Sequence, residues 1–208
     1  MPLDDWFLDA RERGNPATRI DDRGDWASAW TDGNHVTVHV DGAAYFACLL
    51  DELLQLRRGD WVHFTDWEGD TDERLAGGGT ELASVLCGLA RDGVRVRGLV
   101  WRSHPRQAHF AEQDNLGLTR DVNEAGAEIL LDDRVRRGGS HHQKLFVIRL
   151  ADAHDRDVAF VGGIGLCHGR HDTPRHEGDA QAVDIDDKYG THRRGTTYKP
   201  RCVDPRSA

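Results

Sequence analysis

The chain has 208 residues and a formal net charge of −9, and 30% of its residues are charged. This length suffices for one domain with a buried core, and the acidic balance argues against a general nucleic-acid binder, which would carry a basic face. The longest apolar run, residues 43–50, is too short to cross a bilayer, and the acidic start of the chain lacks a signal-peptide pattern.

The four cysteines, Cys48, Cys87, Cys167 and Cys202, are scattered and show no metal-type pairing. Free thiols in a reducing compartment explain them most simply. With no targeting pattern in view, we predict a cytoplasmic protein.

Apolar periodicity divides the chain into three parts. Residues 1–33 form a polar lead-in, residues 34–180 hold the regular pattern, and residues 181–208 show almost no periodicity. We therefore expect one folded domain followed by an irregular or disordered tail that is dispensable for folding.

Within the central part, strand and helix patterns alternate along the chain. Strands are predicted at 35–40, 61–65, 94–101 and 127–131, and helices over 43–57, from Thr80 as N-cap, and over 107–125. This order is typical of an α/β layered domain with a mostly parallel sheet and helices on its faces. In such sheets, sites gather at the carboxyl ends of the strands.

A densely acidic loop, residues 66–73, follows the second predicted strand. Its spacing does not match a calcium loop, so we expect a solvated loop rather than a metal site. Glycines 77–79 precede a helix and could cradle phosphate, but the Lys-Ser/Thr ending of a nucleotide loop is missing.

The most informative stretch is residues 138–148, GGSHHQKLFVI, in which His142 and Lys144 open an apolar strand. Residues two apart in a strand point the same way, so the two side chains would project together. The lysine can hold anionic oxygens, and the histidine can attack phosphorus or move a proton. The plainer alternative is a surface turn whose histidines cap the strand.

A second apolar run, residues 157–164, predicts the return arm of a β-hairpin. Its Gly162 and Gly163 would let a backbone approach closely where a side chain would obstruct. The paired strands, the double glycine and His142-x-Lys144 together resemble the phospholipase D superfamily, most closely its bacterial members. The resemblance covers roughly residues 34–187, with its motif block at 140–172.

The resemblance implies a phosphodiesterase or phosphatidyl transferase that acts on phosphodiesters, phospholipids above all, through a phosphohistidine and without a cofactor. In the superfamily one histidine attacks phosphorus and a second protonates the leaving alcohol; the resemblance implies His142 as the catalytic histidine of this half and Lys144 as the phosphate clamp, with His141 in support. Substrate contacts would come from the pocket mouth, the double glycine and the following loop, namely Ser140, Gly162, Gly163 and Arg170.

Two positions depart from the superfamily pattern. The aspartate of His-x-Lys-(x)4-Asp is Arg149 here, which puts a supporting residue in doubt. The Asn or Asp expected two residues after the double glycine is Gly165, which removes a polar group that would help to position phosphate.

Residues 167–179, CHGRHDTPRHEGD, leave several interpretations open. A pocket rim, a solvated loop and a metal site built from His168, His171, Asp172 and His176 are all compatible with the composition. The spacing is not a strong zinc pattern, and nearby arginines would oppose a cation.

The superfamily mechanism needs two histidines in opposite roles, and this chain carries one His-x-Lys motif. It would then be one half of a two-motif protein, or would form a homodimer that joins two copies through an apolar face. The alternatives are a non-catalytic truncated half-domain, a partner-binding scaffold, and a dimeric single-motif nuclease, the last disfavoured by the acidic charge.

Overall fold

A computed structural model describes residues 33–102, 112–136 and 138–176 of the chain. The chain separates into two compact units, Met1–Val38 and His39–Ala208. In the first unit the described residues, 33–38, contain neither helix nor strand. Most of the predicted lead-in and all of the predicted tail lie outside the described residues.

Within the described residues of the second unit, helices and strands alternate up to a hairpin. The helices are α1 (Gly42–Leu54), α2 (Leu82–Arg91) and α3 (Glu112–Glu124), and the strands are β1 (Trp61–Asp66), β2 (Arg95–Trp101), β3 (Glu128–Asp132), β4 (Leu145–Arg149) and β5 (Val158–Val161). The strand order is β3-β2-β1-β4-β5. The first three strands run parallel, β4 is antiparallel to β1, and β5 is antiparallel to β4. This arrangement confirms the predicted α/β sheet closed by a hairpin.

Alternating burial along the strands defines a core on one face of the sheet. Phe64, Phe146 and Ile129 are almost fully buried and join one apolar cluster with side chains of all three helices. Residues on the opposite face are more exposed within the described part of the chain: Leu130 is 57% and Val161 77% exposed. The helices therefore cover the first face, and apolar side chains remain open to solvent on the second.

The start of α1 is packed against the loop that follows the hairpin. The Asp41 carboxylate caps the helix by accepting from Ala44 N at 2.8 Å, and Ala43 N donates to Asp172 O at 2.9 Å. A side chain at Gly42 would overlap the carbonyl oxygen of Arg170, so this crossing requires glycine.

One predicted strand and one predicted helix cap are wrong. Residues 35–40 form no strand, and the valines whose alternation suggested one, Val36, Val38 and Val40, are 79–90% exposed. Alternation predicts a strand only where a neighbouring strand supplies hydrogen bonds. The helix α2 begins at Leu82, because the Thr80 hydroxyl instead donates to Gly77 O at 2.7 Å and accepts from Ala76 N at 2.9 Å, which closes a turn.

The cysteine prediction is confirmed for Cys48 and Cys167, whose thiols are free. The search for a membrane-crossing helix, made over the described residues, found none with the necessary length and apolar character.

Candidate active site

Strand direction brings the ends of four strands to one edge of the sheet. Strands β1, β2 and β3 end there with Asp66, Trp101 and Asp132, while the antiparallel β4 begins there. His142 and Lys144 immediately precede β4, whose first residue pairs with Thr65 of β1. The predicted motif therefore lies at the carboxyl edge of the parallel strands.

His142 and Lys144 are brought together at this edge. Lys144 Nζ lies 3.3 Å from His142 Nε2, and the imidazole is exposed while the lysine is half-buried. The ring of Trp67 stands edge-on to His142 at 5.7 Å and stacks on Trp101 at the same separation. An exposed imidazole beside a fixed ammonium can meet a phosphate from solvent, with an aromatic wall on one side.

Asp66 ends β1 at the same edge of the sheet, near Lys144, and is 2% exposed. Its Oδ1 accepts from Trp67 N at 2.7 Å and Glu68 N at 3.3 Å, and its Oδ2 accepts from Leu166 N at 3.0 Å. Burial raises the pKa of Asp66 to about 6, against the opposing effects of these N–H groups and of the Lys144 ammonium. Sequence reasoning missed Asp66, although an acid at the carboxyl end of a parallel strand is a recognisable signal.

The glycines of the hairpin differ from their predicted roles. A side chain at Gly162 or Gly163 would meet nothing within 4 Å, so the close approach predicted for them is not found. The crowded position is Gly165, where a Cβ would lie 3.1 Å from Asp66 Oδ1 and 3.2 Å from Lys144 Cε. Gly165, which stands where the superfamily pattern has Asn or Asp, therefore lies inside the site.

The second position that departs from the superfamily pattern, Arg149, lies away from the site. Arg149 ends β4 and pairs with Trp61 at the opposite edge of the sheet. Its Nε donates to Asp157 Oδ2 at 2.9 Å, and Leu150 N donates to the other oxygen of the same carboxylate. The arginine thus ties the two arms of the hairpin together and does not reach His142.

His141 points away from its neighbour, as predicted. It is 7% exposed, and its Nδ1 lies 3.4 Å from Asp132 Oδ2. Burial lowers the pKa of His141 despite the opposing effect of Asp132, so the imidazole is neutral at physiological pH. Ser140 precedes it and is exposed.

The segment that follows the hairpin carries three histidines, and each has a different partner. His168 contacts Asp70 and Asp72, His171 stacks on a phenylalanine of α1, and His176 Nδ1 lies 2.8 Å from Asp172 Oδ2. Of the four residues considered as a metal site, Asp172 and His176 contact each other, but His168 and His171 have other partners, so the four do not form one cluster. Arg170, predicted to meet the substrate, is half-buried and donates to Gly169 O at 3.3 Å.

The structure contradicts the prediction made for the acidic loop, residues 66–73. It was predicted to be solvated, but Glu68, Asp70 and Glu73 are all at least nine-tenths buried. Carboxylate oxygens of Glu68, Asp70 and Asp114 lie within 4.8 Å of one another. Such a cluster also occurs without any ion, and Asp70 already accepts from His168 N at 2.7 Å, so we assign it no metal.

Asn115 of α3 holds the loop at the edge and was also missed. It is fully buried, and its amide donates to Trp67 O at 3.0 Å and Trp101 O at 2.7 Å. Its Oδ1 accepts from Gly69 N at 2.8 Å. Because all three contacts go to backbone of the loop or of β2, Asn115 fixes the position of the Trp67 ring beside His142.

Comparison with known proteins places the motif in context. The sequence profile described as "Phospholipase D" matches residues 70–188. Phospholipase D gamma 2 of Arabidopsis thaliana is 29% identical over 177 residues, covering 70% of this chain and 21% of that protein. Phospholipase D alpha 1 of Cynara cardunculus is 31% identical over 147 residues, covering 56% of this chain and 18% of that protein. The chain thus spans about one fifth of the length of these relatives.

Among solved structures, polyphosphate kinase from Porphyromonas gingivalis matches 50% of this chain and 15% of its own, with 19% identity and a TM-score of 0.33.

Proposed function

This chain belongs to the phospholipase D family, as its motif predicted, and we propose on that basis that it supplies one catalytic half of a phosphodiesterase or phosphatidyl transferase. The substrate class is a phosphodiester, with phospholipids first among the candidates because the matching relatives are named phospholipases. The observation that carries the proposal is the exposed His142 imidazole 3.3 Å from the Lys144 ammonium at the carboxyl edge of the sheet.

In the proposed reaction, His142 attacks phosphorus with an unprotonated ring nitrogen. A P–N bond forms, the P–O bond to the alcohol breaks, and a second histidine donates a proton to the departing alkoxide. Water, or another alcohol, then attacks the phosphohistidine and restores the imidazole. The Lys144 ammonium offsets the negative charge of the non-bridging phosphate oxygens, which stabilises the transition state.

The second histidine is the part that one motif does not supply. A two-fold homodimer would place a second His142 and Lys144 opposite the first, because an isologous interface repeats the same patch on both subunits. The apolar side chains on the open face of the sheet, Leu130, Leu145 and Val161, offer a surface that such an interface could cover.

A second candidate function is a non-catalytic half-domain that binds a partner. Gly165 favours it, since the polar side chain expected beside Lys144 is absent. A dimeric nuclease is disfavoured by the net charge of −9.

The test is cleavage of bis(p-nitrophenyl) phosphate and of phosphatidylcholine vesicles by the full chain, measured over a range of protein concentrations. His142→Ala should abolish turnover, His141→Ala should only weaken it, and His154→Ala, an exposed histidine on the hairpin turn, serves as the control. Acid quenching followed by mass spectrometry should find the phosphoryl group on His142. Equal loss from the two neighbouring substitutions would contradict the assignment.

Specific activity should rise with protein concentration and level off as the dimer forms. Constant turnover at concentrations where ultracentrifugation finds only monomer would contradict the shared site. Absence of any turnover, with normal folding, would favour the partner-binding half-domain.

A further inference from the structure

The Lys144 side chain lies near a carboxylate, that of Asp66, which the His-x-Lys motif does not contain. Asp66 and Lys144 approach the same point from two sides, since a Cβ on Gly165 would lie 3.1 Å from Asp66 Oδ1 and 3.2 Å from Lys144 Cε. The carboxylate comes from the end of β1 and the lysine from the start of β4, in neighbouring antiparallel strands. Glycine at position 165 leaves open the space that both of these side chains border.

The carboxylate is held rigidly. Three backbone N–H groups donate to it, those of Trp67 and Glu68 on one side and of Leu166 on the other. A carboxylate fixed by backbone donors and buried at 2% exposure cannot swing away, so its charge acts from a constant position. Other titratable groups near it include the half-buried Tyr45 of α1, whose pKa is raised by burial and by the Asp66 charge, and Cys167, whose Sγ borders the same space at Gly165.

From this geometry we propose that Asp66 is the positioning residue for Lys144: its carboxylate holds the lysine side chain over the site and supplies the negative charge that position 165 lacks. The inference rests on the proposed function, in which Lys144 clamps the phosphate. It also explains how the site keeps a polar group beside the lysine although Gly165 replaces the Asn or Asp of the superfamily.

The charge balance agrees with this role. Burial raises the pKa of Asp66 to about 6, so the carboxylate is ionised at neutral pH and faces Lys144 in a region of low dielectric constant. Arg149 offers no alternative partner there, because it is bonded to Asp157 at the opposite edge.

One test needs no activity. Selective carbon-13 labelling of aspartate carboxyls lets NMR follow the titration of Asp66, which is assigned by its loss in Asp66→Asn. Lys144→Met should raise the pKa of Asp66 by about 1, the size expected on removing an opposite charge a few ångströms away. Arg149→Met, which deletes a cation at the far end of the same strand, should leave it unchanged. An unchanged titration of Asp66 in Lys144→Met would overturn the proposal.

The second test uses diester cleavage at neutral pH. Asp66→Asn should lower kcat by about 100-fold, the loss typical of a misplaced catalytic group. A purely structural role of Asp66 would also lower activity, so rescue is the decisive measurement. Adding Gly165→Asp to Asp66→Asn restores a carboxylate beside Lys144 without touching the backbone donors, and should recover about 10-fold of the loss.

The matched control is Gly165→Ala in the same Asp66→Asn background, which adds the Cβ without the charge. Recovery with aspartate but not with alanine supports the positioning role, and equal behaviour of the two would refute it. If the unmodified chain cleaves no diester at any concentration, the proposed function fails while the NMR titration still decides whether Asp66 is the charge partner of Lys144.

Discussion

The ion pairs of His168 should make the stability of the fold depend on pH in the alkaline range. Its Nδ1 lies 3.3 Å from Asp70 Oδ2 and its Nε2 lies 3.1 Å from Asp72 Oδ1, with Glu73 4.0 Å away. Burial by itself would lower the pKa of His168, but the hydrogen bond to Asp72 and the charges of the three carboxylates raise it from 6.5 to about 9. These contacts fasten the acidic loop to the segment that follows the hairpin.

The folded state therefore keeps a proton that the unfolded chain releases. Stability from this group is fully present below about pH 6.5 and is lost as the pH rises to about 9. Since each pKa unit corresponds to roughly 1.4 kcal/mol, the free energy of unfolding should fall by about 3 kcal/mol across that interval. The His168 side chain is 20% exposed but its partner Asp72 is 43% exposed, so solvent screening makes about 3 kcal/mol an upper value for this fall.

The measurement is urea unfolding followed by circular dichroism at pH 6.5, 7.5 and 9. His168→Gln should be less stable than the unmodified protein at pH 6.5 and should lose the fall between pH 6.5 and 9. The control is His154→Gln, because His154 is 64% exposed and 3.9 Å from Asp157. A urea midpoint that does not change with pH, or a fall that persists in His168→Gln, would refute the reasoning.

Other predictions concern packing and chemistry. Gly42→Ala should cost about 1–3 kcal/mol in thermal unfolding, since its Cβ would overlap Arg170 O, whereas Gly88→Ala in α2 meets open space and should be neutral or stabilising. Asn115→Leu removes the hydrogen bonds to Gly69 N and the Trp67 carbonyl. The free energy of unfolding, measured by urea titration, should fall by about 3 kcal/mol. EDTA should leave diester cleavage unchanged, because the proposed mechanism uses no metal. A loss of activity that zinc restores would implicate His168, His171 and His176.

Local patterns predicted most of the secondary structure correctly. The helix predicted over 43–57 spans Gly42–Leu54, and the strands predicted at 61–65 and 127–131 differ from β1 and β3 by one residue. Hydrophobic spacing sets these elements, and it is written in neighbouring residues. Residues 35–40 show the limit of such patterns, because they alternate with the period of a strand but pair with no neighbouring strand among the described residues.

The site was predictable only in part, for a related reason. His142 and Lys144 are two residues apart and lead directly into β4, so their proximity could be predicted from local sequence, although the strand itself begins only at Leu145. Asp66 and Asn115 act through contacts with segments 100 and 46 residues away, which no local pattern reveals. The acidic loop was misjudged because its charges suggested water, whereas backbone N–H groups and His168 take the place of water around them.

The antiparallel placement of β4 has a consequence for folding. The strand pairs with β1 at a sequence separation of 80 residues, Thr65 with Leu145, while β1 pairs with β2 at much shorter range. Closing so long a loop costs chain entropy before any contact rewards it, so β4 should dock after the first three strands have assembled. A peptide cut from residues 140–172 would keep the motif but lack the strand that supports it. Catalytic competence should therefore appear last in refolding, and its recovery would report completion of the whole sheet.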